Sequence, residues 1–116
     1  MAVRLLLRLE GLALAVAGVV LYAHGDHSWW LFVLLALAPD LAFVGYVAGP
    51  TVGATTYNLM HNLVFPTALG VAGVVWDSDR AVAIALIWLV HIGVDRVIGY
   101  GLKYPSGFKD THLQRV

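Results

Sequence analysis

Four long apolar runs dominate the chain and leave it little choice of fold. They extend from about Leu5 to Tyr22, Trp29 to Ala48, Thr51 to Trp76 and Ala81 to Leu102. Each is close to the ~20 residues that a helix needs to cross a ~30 Å hydrocarbon core. Spanning strands would alternate in polarity over about 10 residues apiece, and these runs do not. Inside lipid, helices are then the remaining way to satisfy the backbone. The links are short: His24 to Ser28, Gly49-Pro50, and Asp77 to Arg80. Such links predict an all-α, four-helix transmembrane bundle of up-down-up-down order over residues 1–104, with a polar tail over 105–116.

Composition agrees. Of 116 residues, 60% are hydrophobic and only 12% charged, against about 25% charged in an ordinary soluble domain. Disorder needs the opposite balance. There is no cysteine, which excludes disulfides, thiolate metal sites and cysteine nucleophiles. A formal net charge of zero gives no basic surplus for nucleic acid; the expected partner is the lipid bilayer.

Orientation follows from the basic residues. Arg4 and Arg8 open the first run, and Lys103, Lys109 and Arg115 follow the last, whereas the first and third links carry only Arg80. The positive-inside rule places both termini in the cytoplasm of a multi-pass protein in the bacterial inner membrane, with Trp29, Trp30 and Trp76 at the outer boundary. The first run also loosely fits a cleavable signal peptide, with Ala23-His24-Gly25 as the cleavage site. Its length and the internal Glu10 argue against that.

The informative residues are the polar ones inside the runs: Glu10, Asp40, Asn58, His61, Asn62, His91, Asp95 and Arg96. Each ionisable group at that depth costs about 2.5–3.5 kcal/mol on insertion scales, so such groups face a bundle interior or a wet cavity. A rise of about 1.5 Å per residue puts them all in the inner half of the membrane. Asn58, His61 and Asn62 share one helix face, and His91 and Asp95 stack four apart on another. Pro39 and Pro66 each leave a nearby carbonyl without its helical donor, which suits a small wet pocket. Gly45 and Gly49, and Gly11, Ala15 and Gly18, suit close helix contacts, within one chain or between copies in a homo-oligomer. His24 and His27 read as exposed loop residues.

Asp40, His61, His91 and Asp95 supply two imidazoles and two carboxylates, a fitting shell for zinc, iron or manganese with an open position for water. Glu10, Asn58 and Arg96 are then the candidates to bind or orient substrate. The spacing matches neither the zincin nor the ferritin pattern. Without metal, the same groups could form a His–Asp acid–base pair or a proton relay. Any single one could also serve only as an interhelical hydrogen bond. No serine lies at that depth. In the tail, Pro105, Ser106 and Gly107 mark a turn, and the stretch is expected at the cytoplasmic surface, able to bring Lys109 or His112 to the pocket mouth or else to fray.

Several motifs together carry a family resemblance: Arg8-Leu9-Glu10-Gly11, Pro39-Asp40 with Gly45-Tyr46, Tyr57-Asn58 with His61, and His91-Ile92-Gly93 with Asp95-Arg96. They continue in Gly99-Tyr100-Gly101-Leu102-Lys103-Tyr104-Pro105 and Phe108-Lys109 with Thr111-His112-Leu113. Over nearly its whole length the chain resembles a family of small bacterial integral membrane proteins catalogued as domain of unknown function 4260. The resemblance implies a polytopic membrane protein and no particular activity.

Three functions fit the residues. One is a metal-dependent membrane enzyme acting on a lipid-like or small substrate. Another is a proton-coupled transporter, since four spans and Glu10 in the first look like the small multidrug-resistance exporters. The third is a scaffold whose polar layer only fixes helix register.

Overall fold

A computed structural model describes residues 3–115. Those residues are helical apart from turns and one isolated bridge, Lys103 to Thr111. Helix α1 covers Val3–His24, α2 Trp29–Leu35, a 3-10 segment Ala38–Ala48, α3 Pro50–His61, α4 Val64–Val75, α5 Asp79–Ile98 and α6 His112–Arg115. Four stretches are long and apolar enough to cross a membrane: Val3–His24, Trp29–Ala48, Pro50–Val75 and Asp79–Ile98. Their outward faces are apolar, with Val47, Trp30 and Leu34 largely exposed, as suits contact with lipid rather than water.

Local chemistry explains the boundaries. Ser28 and Ser78 cap α2 and α5, their hydroxyls accepting from the amides of Leu31 and Ala81. Gly49, at φ 113°, turns the chain sharply into Pro50, which opens α3. Helix α5 stops at Ile98, short of the expected Leu102, because Gly99 takes the left-handed conformation and closes it.

Two of the expected spans are not continuous helices. The second is α2 followed by the 3-10 segment, with Pro39 in the first turn of the latter. At about 1.5 Å per α residue and about 2.0 Å per 3-10 residue, the contour length of the pair is about 32 Å, comparable to the thickness of a hydrocarbon core. The third breaks at Asn62, whose backbone is extended. Its side chain replaces the lost helical bonds: Oδ1 accepts from the Val64 amide at 2.8 Å, and Nδ2 donates to the carbonyls of Asn58 and Leu59 at 2.8 and 2.9 Å. The carbonyl of Met60 accepts from the Trp88 indole at 2.5 Å and that of His61 from Arg96 at 3.3 Å. The carbonyls of Asn58, Leu59, Met60 and His61 thus each meet a donor at the break, as burial in an apolar interior demands.

Helix α5 lies at the centre, packed on α1, α2 and α4. Gly11, Ala15, Gly18 and Tyr22 form the buried stripe of α1, and the small residues face Arg96, Gly93 and Val90 in antiparallel order. Gly93 permits a close approach of the two backbones: a β-carbon there would lie 2.7 Å from the Gly11 carbonyl oxygen. The 3-10 segment and α3 form a second antiparallel pair, Gly45 against Thr56 and Tyr46 against Gly53. The tail folds back on the end of the bundle. Leu102 and His112 pair through their backbones and the His112 ring, and Arg4 holds the carbonyls of Leu113 and Gln114 at 3.0 Å each.

Candidate metal centre

Three elements converge beside the breaks. The 3-10 segment brings Asp40, the end of α3 brings His61, and α5 brings His91 and Asp95 four residues apart. One ligand-type atom from each lies within 4.8 Å of all the others.

Hydrogen bonding fixes how the rings present themselves. Nδ1 of His61 meets the Tyr57 carbonyl at 2.8 Å, and Nδ1 of His91 meets the Ala36 carbonyl at 2.5 Å. A carbonyl only accepts, so each Nδ1 carries its proton and each neutral ring turns a bare Nε2 lone pair inward. These two Nε2 atoms are 3.2 Å apart. Each is 3.2 Å from Oδ1 of Asp40, and they lie 3.5 and 3.4 Å from Oδ2 of Asp95. With both rings neutral and both carboxylates ionised, four electron-rich atoms face one point with no proton among them. Donors held at about 2.0–2.2 Å by a tetrahedral metal stand about 3.3–3.6 Å apart; the five separations above, 3.2 to 3.5 Å, lie close to that range, and the Asp40 and Asp95 oxygens lie within 4.8 Å of each other.

The surroundings hold both rings in place. The Nδ1–H bonds to carbonyls orient them, and the Tyr57 ring stacks on His61 at 3.7 Å and 8°. The Ala36 carbonyl is available because α2 has ended at Leu35. The imidazole side chains are 2% and 7% exposed, whereas those of Asp40 and Asp95 are 35% and 17% exposed. Access is thus from the carboxylate side, where a cavity of about 340 Å³ is lined by Asp40, Asp95, Tyr57, Phe43, Tyr100, Phe108, Lys103 and Lys109.

The remaining site candidates stand elsewhere. Asn58 binds the tail: its Nδ2 donates to the Lys103 carbonyl at 2.8 Å and its Oδ1 accepts from the Lys103 amide at 2.6 Å. Arg96 meets the carbonyls of His61 and Tyr100 and has no carboxylate within 4 Å among the described residues, so it caps the broken helix. Glu10 is exposed and shares with Arg96 a lateral cleft of about 200 Å³. His112 is engaged by the Leu102 amide and is absent from the cavity wall, while Lys109 reaches it.

Lys103 was not among the sequence candidates. It is 7% exposed, and its ammonium donates to the Phe108 carbonyl and lies over the rings of Phe108, Tyr57 and Phe43 at 3.7, 4.6 and 5.7 Å. Burial pulls its pKa below the usual lysine value, while Asp95 and Asp40 push it back up. In the sequence it looked like one more basic residue flanking the last span.

The chain belongs to the family described as a domain of unknown function, DUF4260, which it matches over residues 4–116. Comparison with curated proteins and with solved structures gives no match.

Proposed function

We propose that this member of the DUF4260 family is a metal-dependent enzyme of the bacterial inner membrane, acting on a lipid-like or small substrate that enters from the cytoplasmic side. The observation that carries the reading is the set of four acceptor atoms facing one another at hydrogen-bond range without a donor. Such an arrangement is repulsive until a cation enters it, and two imidazoles with two carboxylates suit zinc, iron or manganese. A metal there would act as a Lewis acid on a carbonyl or phosphoryl oxygen. The chain's own residues would do the rest. The partly open faces of Asp40 and Asp95 lie on the substrate cavity, aromatic walls exclude water, and Asn58 and Arg96 position the tail and the α3 end. The basic residues Arg4, Arg8, Lys103, Lys109 and Arg115 support a cytoplasmic location for this end of an up-down-up-down bundle.

Elemental analysis of protein purified without added chelator tests the proposal. About one equivalent of transition metal, lost on substitution of His61 or His91 by alanine, is the expected result; a metal-free wild type refutes it.

The proton-coupled carrier retains one supporting observation, the exposure of Glu10 beside Arg96 in the lateral cleft. A half-buried guanidinium is a poor neighbour for an organic cation, and Glu10 is not among the residues of the His–Asp cluster. The Glu10→Gln variant separates the readings, because a carrier coupled through Glu10 loses proton-driven transport while a metal enzyme keeps its metal.

A further inference from the structure

The cavity beside the metal cluster has a charge balance that specifies what it takes. Its wall carries Asp40, Asp95, Lys103 and Lys109, which sum to zero. A divalent cation on the cluster, as in the reading above on which this inference rests, raises that sum to two positive charges. Lys103 is the unusual member. Its side chain is buried, yet no carboxylate lies within 4 Å of its ammonium among the described residues. Instead it donates to the Phe108 carbonyl, which carries no charge to balance it, and sits among the rings of Phe43, Tyr57 and Phe108. A buried charge without a counter-ion is costly, and so is the double hydrogen bond by which Asn58 on α3 holds the Lys103 backbone at this spot to lose. The scaffold thus presents an ammonium to the same cavity that the metal-facing carboxylates open into.

We infer that Lys103 is the anion-binding residue of a subsite for a phosphate monoester carried on an apolar or aromatic body. The phosphate lies between Lys103 and the cluster, with Lys109 at the rim and Phe43, Tyr100 and Phe108 against the body. A dianion neutralises the excess charge, which a neutral sugar or an organic cation does not.

The test uses the full-length protein in detergent, loaded with zinc, its metal content measured first. Phenyl phosphate is titrated calorimetrically into wild type, Lys103→Met and Lys103→Arg. Wild type is expected to bind, Lys103→Met to bind about tenfold to hundredfold more weakly, and Lys103→Arg to recover most of the loss, all three with equal zinc. Parallel titrations with inorganic phosphate and with mixed micelles containing phosphatidic acid identify the source: a clear preference for phosphatidic acid assigns a lipid headgroup, and its absence a soluble ester. Zinc-loaded wild type that ignores phenyl phosphate, or a Lys103→Met variant that keeps its zinc and binds as well as wild type, overturns the inference and leaves the metal reading standing. Failure to take up zinc removes the metal reading, and the inference falls with it.

Discussion

His61 and His91 face each other through their Nε2 atoms across 3.2 Å, each with its Nδ1 proton committed to a main-chain carbonyl. Both rings are therefore acceptors at the shared point. Replacing one of them by glutamine removes a ligand while leaving a polar side chain in place. His61→Gln and His91→Gln are expected to lower metal content from about one equivalent to a small fraction, because a shell that draws its protein donors from only four side chains loses most of its affinity with one ligand. Asp40→Asn is expected to do the same. Plasma emission on the purified variants reads this directly, with folding checked by circular dichroism. Unchanged metal in both histidine variants would place the metal elsewhere.

The four ligand-type residues were legible in the sequence because charge inside an apolar run is conspicuous. Asp40, His61, His91 and Asp95 stood out by depth and spacing, and Pro39 and Pro66 pointed to the breaks around them. The irregular backbone was less legible. Asn62 reads as a mid-helix residue until its side chain is seen substituting for the lost helical bonds on both sides of it. Glu10 was grouped with the cluster because depth along a helix says nothing about its azimuth, and α1 turns Gly11 rather than Glu10 towards α5. Lys103 was hidden by the opposite effect: a lysine just past a span is usually a topology signal, and only the return of the tail after Gly99 brings it inside.

Asn58 anchors the start of that return. Its amide replaces a strand partner for Lys103, giving and receiving one hydrogen bond. Removing both costs about 1–3 kcal/mol, since the partners are partly buried. Asn58→Ala is expected to expose the Lys103 amide to solvent exchange and to loosen the tail without stripping the metal. Asn58→Asp, which keeps the acceptor and loses the donor, should retain protection at that amide. Hydrogen exchange read by mass spectrometry on the peptide spanning residues 99–111 decides; equal protection in Asn58→Ala would mean the tail is held by other contacts.

The α1–α5 contact makes a prediction of the overpacking kind. Gly93 faces the Gly11 carbonyl and Ala15, and a methyl group there meets backbone rather than a flexible side chain. Gly93→Ala forces the helices apart, at a cost of about 1–3 kcal/mol. Because His91 is two residues away on the same helix, metal affinity should fall together with thermal stability. Gly70→Ala is the control: its added carbon would make an ordinary contact 3.4 Å from Ala85, so melting and metal content should both stay near wild type.

The tail also carries a pH-dependent clasp. Arg115 binds Asp110 at 2.6 and 2.9 Å, and Ser106 donates to the same carboxylate. The Arg115 hydrogen bonds, followed by that of Ser106, pull the Asp110 pKa from 3.8 down to about 2. With the folded value depressed, the clasp contributes fully above the unfolded carboxylate value, weakens as the pH falls below it, and is lost as the pH passes through about 2. The group is solvent-exposed, so salt should weaken the effect. Carbon-detected NMR of the Asp110 carboxyl is expected to show a midpoint near 2 in wild type. In Arg115→Met the midpoint should return towards the ordinary range, with no change in metal content, because neither residue lines the cavity beside the cluster. An Asp110 that titrates normally in wild type would show that the clasp does not persist in solution.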